Sequence, residues 1–140
     1  MSAFTTSYPN IVRSIVTEVG IVTPLSESST QVVKCKALWD TGAVYSVVSA
    51  EFAQKLGLVP FDSGRAYTAQ GSYDTSVYLL DVFLPNGMIV KDLRVSDGTF
   101  QDFDFLLGMD VISLGDFTIT NKDATQFTFR IPAEGMKQEA

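Results

Sequence analysis

The stretch "ALWDTGAVYSVV", residues 37–48, places an acidic side chain inside an apolar run. An ionised carboxylate without partners is too costly to leave in a core. The chain must therefore break its apolar run at Asp40. Either Asp40 is a solvated turn residue, or it is an acid held in place for use. Thr41 and Gly42 follow at once, and a residue without a Cβ suits a tight turn. The feature asks for strand, turn and further apolar structure in close succession.

The rest of the chain reads as short strands. Residues 11–22 are apolar and β-branched, and "SESST" at 26–30 is a turn or loop. Residues 31–39 alternate, with Val33, Cys35, Ala37 and Trp39 on one face, so the two runs make a hairpin. Residues 43–48 form a further β-type run. Ser49 is a good N-cap and Gly57 a helix stop, which predicts a helix over 50–56. Strands over 65–68 and 73–84 flank a turn near Gln70-Gly71. Pro85-Asn86-Gly87 is a hairpin turn leading into a strand over 88–95. A strand over 103–107, a short helix over 109–114 and a last hairpin, 117–120 with 125–131, complete the chain. No repeat, linker or composition break divides it. The expectation is one mainly-β domain, 1–140, with an ordered core from about 11 to 131 and a frayed tail at 132–140.

Composition removes several function classes. The 140 residues include no His and one Cys, which excludes Ser-His-Asp and Cys-His catalysis, most zinc sites and any intrachain disulfide. Cys35 is better read as an inward strand residue than as a nucleophile, since no base serves it. The net charge is −6, without a basic cluster, which argues against nucleic acid and anionic membranes as partners. No apolar run approaches a bilayer span, and the first ten residues do not read as a secretory signal. The expected location is cytoplasmic; an exported chain already stripped of its signal would look the same. No cofactor motif is present.

Asp-Thr-Gly by itself is weak evidence: a chain of this length contains Asp-[Ser/Thr]-Gly by chance on the order of 5% of the time. Here the pattern occurs twice. Asp62-Ser63-Gly64 lies between Pro60 and Arg65 with no long apolar strand leading in, so Asp62 reads as a solvated turn residue. Asp40 ends an alternating strand, and a capped helix follows. Later comes "DFLLGMDVI", residues 104–112, where Leu106-Leu107-Gly108 closes an apolar strand and enters a helix. "WDTGAVYSVVSAEFAQKLGL" together with "LLGMDVIS" resembles the retropepsin-like aspartic proteases, in particular their cellular, bacterial and retroelement branches. The resemblance covers roughly residues 31–131.

The resemblance implies a closed β-barrel of the acid-protease type with one or two short helices, a single lobe that dimerises. It implies Asp40 as the catalytic acid, in an active-site loop with Thr41, Gly42 and Ala43. Gly42 would permit close backbone approach, the Thr41 hydroxyl would donate across the dimer, and Gly108 would sit behind the acid loop. The turn at Ala69-Gln70-Gly71-Ser72 would be a flap over the substrate. Gly42, Tyr45, Val47, Gln70, Gly71 and Leu106 would contact an extended peptide. One motif per chain then means a homodimer, with two copies of Asp40 sharing a proton. No metal or cofactor is needed.

Some positions depart from the family. Ala43 offers no hydroxyl to the acid, which favours action at less acidic pH. Val44 and Met109 stand where retroviral enzymes carry an acid and an Arg, so that polar staple is gone. Asp110 reads as a helix-end acid and Trp39 as core. Phe127 and Phe129 would add apolar area to the dimer interface. Two other readings compete with an active endopeptidase. One is a peptide- or protein-binding module on the same fold without turnover. The other is an unrelated β domain with an exposed Asp40 and no ψ-shaped crossing.

Overall fold

Alternating apolar runs can bury one face only by pairing with other strands. A computed structural model describes residues 2–26 and 29–132. In chain order they form β1 (Ser2–Ser7), β2 (Ile15–Ser26), β3 (Ser29–Trp39), β4 (Val47–Ser49), α1 (Ala50–Lys55), β5 (Asp62–Thr68), β6 (Gly71–Phe83), β7 (Ile89–Gly98), β8 (Phe105–Leu107), α2 (Met109–Ile112), β9 (Asp116–Asn121) and β10 (Thr125–Ile131).

Six of these strands close into a barrel in the order β2-β3-β8-β4-β7-β6. The ring closes where Gly20 faces Phe83 and Ile21 faces Val82. β5 continues beyond the ring as the outer partner of β6. A separate three-stranded sheet, β1-β10-β9, carries the two ends of the described chain.

The barrel interior follows from the alternation. In β3, Cys35, Ala37 and Trp39 are buried while Lys34 and Lys36 are exposed. Val48, Val82, Val95, Phe105 and Leu107 complete the filling. α1 is bounded as its sequence asks: the Ser49 hydroxyl accepts the Phe52 N–H at 3.2 Å, and Gly57 adopts φ +67°.

An aromatic cluster joins barrel to small sheet. Trp39 lies 5.0 Å from Phe127 and 4.9 Å from Phe129, and Phe117 packs 4.8 Å from Phe127. Phe4 of β1 meets Phe127 edge-on at 5.8 Å. Tilted and edge-on rings avoid face-to-face repulsion, so such pairs add to simple burial. The Trp39 indole N–H donates to the Thr17 hydroxyl at 2.9 Å.

Several expectations change. β1 has no counterpart in the sequence reading, because Phe4 is its one buried side chain. The strand expected at 11–22 begins at Ile15, and Ile11 is exposed. Of the run 43–48, only Val47 and Val48 are strand, continuing to Ser49. The second helix stops at Ile112, short of the expected 114. Asp62 is exposed as expected, yet it opens β5 instead of a turn. Phe127 and Phe129 are almost fully buried in their own chain, so they are core and not free interface. Residues 27–28 of the expected turn or loop and the expected tail beyond Pro132 lie outside the described residues.

Candidate active site

β3 must end where its apolar alternation meets Asp40. Its last residue, Trp39, is locked in the aromatic cluster, so the next residue emerges at a fixed place. Asp40 is half-buried, and its N–H donates to the Leu107 carbonyl at 2.9 Å. Asp40 Oδ1 accepts the Gly42 N–H at 2.8 Å, and the Ala43 N–H closes on the Asp40 carbonyl at 3.2 Å. The acid thus folds its own turn, as Asp side chains do. Thr41 and Gly42 are exposed and Ala43 is half-buried.

The strands around this turn cross in a ψ. β8 runs between β3 and β4, parallel to the first and antiparallel to the second. The loop of residues 40–46 joins β3 to β4 and passes over the end of β8. The Met109 N–H donates to the Ala43 carbonyl at 2.7 Å and the Asp110 N–H to the Val44 carbonyl at 3.2 Å. Gly108 makes the crossing possible: a Cβ there would lie 2.8 Å from the Ala43 and Tyr45 carbonyl oxygens. At Gly42 a Cβ would come within 3.2 Å of Asp40 Oδ1, and no second backbone crowds it. Within one chain, the close backbone approach is at Gly108. The crossing removes the unrelated-domain reading.

The polar link absent at Val44 and Met109 is made instead by Ser46 and Asp110, two and one positions further along. The Val44 and Met109 side chains are exposed. The Ser46 N–H donates to Asp110 Oδ2 at 2.9 Å, and the Ser46 hydroxyl to Asp110 Oδ1 at 2.7 Å. The Ser46 oxygen in turn accepts the Gly108 N–H at 3.1 Å. Reading Asp110 only as a helix-end acid missed this. The signal was available in "VYSVVS": a polar residue inside an apolar run needs a partner.

The expected contact residues fall into three places. Val47 and Leu106 are cross-strand partners on half-buried positions, with Leu38 beside Leu106 in β3. Tyr45 is exposed on the acid loop. Gln70 and Gly71 are exposed at the tip of the β5–β6 hairpin, where Gly71 has φ +131°.

The decoy acid is a surface group. Asp62 Oδ2 lies 3.5 Å from Arg94 Nη2, and exposed pairs of this kind contribute little. Cys35 is buried as expected. Burial first, then the nearby Asp104 and Glu18 carboxylates, push its thiol up to about 12, which suits an inert core residue. A cavity of about 580 Å³ is lined by Cys35, Lys36, Phe52, Phe103 and Asp104 among others, and Asp40 is not part of its lining. No helix of the described residues is long and apolar enough to cross a membrane.

A closed six-stranded barrel with an acid loop crossing a Gly-bearing strand is the retropepsin-like aspartic-protease fold. The structure is similar to that of a retropepsin-like aspartic protease from Rickettsia conorii, with 22% identity, a TM-score of 0.57 and coverage of 91% of this chain and 94% of that one. It also matches the protease of Simian Foamy Virus (mac), at 22% identity, a TM-score of 0.49 and coverage of 71% and 92% of the two chains. The chain belongs to the family described as "gag-polyprotein putative aspartyl protease", whose model matches residues 29–114. A search of curated proteins gives no match.

Proposed function

We propose that this chain is an aspartic endopeptidase that hydrolyses peptide bonds in extended polypeptides, and that it works as a homodimer with Asp40 as its catalytic acid. The observation that carries this reading is the placement of Asp40. It lies half-exposed on a turn hung from β8, inside the segment that matches the protease family.

Hydrolysis by this chemistry needs two carboxylates that share one proton. One takes a proton from the attacking water. The other, protonated, donates to the scissile carbonyl oxygen, and a proton later reaches the leaving amine as the C–N bond breaks. The sequence holds one Asp-Thr-Gly, so the second acid is Asp40 of another copy across a twofold axis. The exposed Val44, Tyr45 and Met109 beside the acid loop supply apolar area for that contact.

The substrate would bind as an added strand, between the Gly42 region and the hairpin tip at Gln70-Gly71 acting as a flap. Tyr45, Val47 and Leu106 would contact its side chains. The test is cleavage of a denatured protein mixture by the purified chain, with its mass in solution measured alongside. Cleavage by a dimer, lost in Asp40→Asn, supports the reading. A folded dimer that binds peptides and never cuts them would make it a binding module.

A further inference from the structure

We propose that Ser46 and Asp110 are positioning residues, a clasp that holds the Asp40 loop in register with the β8–α2 junction. The kinetic part of this proposal rests on the protease reading above.

The acid loop cannot be held by apolar burial. Val44 is 66% and Tyr45 70% exposed, so these side chains anchor nothing within the chain. What fixes the loop is polar. At one end Asp40 bonds back to Leu107, and in the middle Ala43 and Val44 accept the Met109 and Asp110 amides. At the far end stands Ser46, with 0% exposure. Its amide and hydroxyl both donate to Asp110, and its oxygen accepts from Gly108.

A helix-end acid needs only its own helix. Asp110 does accept the Val111 N–H at 2.9 Å through Oδ1, but both of its oxygens also reach back to Ser46. Bonds to an ionised acceptor are stronger than neutral ones. Without the carboxylate, the Ser46 N–H is left unsatisfied in a place water does not reach, which costs more than the bond contributes. The loop must then move outward to find water. The Gly108 amide moves too, because its partner is the Ser46 oxygen. Gly108 and Ala43 are the contact behind Asp40, so the clasp bears on the acid through two short steps. Neither Ser46 nor Asp110 needs to touch a substrate for this.

A displacement of about 1 Å at reacting groups costs about 100-fold in rate. Asp110→Ala should therefore lower kcat by about 30- to 100-fold while KM stays within about threefold. Asp110→Asn keeps an acceptor for the Ser46 amide, so it should recover kcat to within about fivefold of the parent. Ser46→Ala keeps the amide bond and loses the link to Gly108, so its loss should be intermediate; it also serves if Asp110→Ala does not fold. Amide exchange is read in the same proteins. Ala43 and Met109 should exchange faster in the variants, while the barrel amides of Val82 and Val95 are unchanged. Unchanged kcat, or faster exchange shared equally by Val82 and Val95, would overturn the positioning role. If the parent protein cleaves nothing while Ala43 and Met109 still respond selectively, the protease reading fails and the clasp stands. If neither amide responds, the clasp itself fails.

Discussion

The ring of Phe4 lies 5.9 Å from the indole of Trp39, so the N-terminal strand packs directly on the residue before Asp40. β1 buries this one side chain, and its backbone completes a ladder along β10 from Ser2↔Ile131 to Ser7↔Gln126. The acid loop is thus supported from below by the chain's own terminal sheet.

Phe4→Ala should destabilise the fold by about 3 kcal/mol, the usual cost of emptying a buried aromatic site. Urea unfolding followed by Trp39 fluorescence would measure it, since Trp39 is the one tryptophan. A change below about 1 kcal/mol would mean that β1 is not integral to the core.

Gly108→Ala and Gly57→Ala separate two reasons for glycine. At Gly57 the backbone has φ +67° and open space around it, so alanine should cost about 1 kcal/mol. At Gly108 the new methyl would sit 2.8 Å from two carbonyl oxygens, and backbone cannot yield as a side chain can. Gly108→Ala should therefore cost at least about 3 kcal/mol or prevent folding. Thermal melts of the two variants side by side would show the difference.

The Cys35 thiol offers a test of burial. Its value is pushed from the ordinary 9.0 up to about 12 by desolvation first, then by Asp104 and Glu18. The folded chain therefore holds that proton more tightly than the unfolded chain does. The stability this confers is complete below pH 9.0 and is lost as the pH rises towards about 12. At pH 8 a thiol reagent should label the folded protein at least about 100-fold more slowly than the denatured one. Cys35→Ser should flatten the loss of stability on the alkaline side.

Much of this fold was legible because local signals agreed. Ser49 and Gly57 bounded α1, Asn86-Gly87 turned a hairpin, and alternation put Cys35, Ala37 and Trp39 inside. β1 was not legible. "SAFTTS" has a single large apolar residue, and only its long-range pairing with β10 makes it a strand. The run 43–48 looked like strand by residue type. Most of it is loop because Ser46 is drawn to Asp110, a contact between residues 64 apart in sequence. Phe127 and Phe129 pointed to an interface in the sequence, since the sheet they share with Phe4 could not be seen there. Asp40 stood out by its apolar context; "VYSVVS" signalled that Ser46 needs a polar partner, but no local pattern names Asp110 as that partner.

The proposed catalytic centre holds two copies of Asp40. Its most direct test mixes parent chain and Asp40→Asn in varying proportion, with total protein fixed above the dimer dissociation constant, and follows peptide cleavage after exchange of subunits. If each centre needs two intact acids, activity falls as the square of the parent fraction, so an equal mixture retains about one quarter of it. Activity strictly proportional to the parent fraction would show that each chain works alone, and would contradict the shared centre.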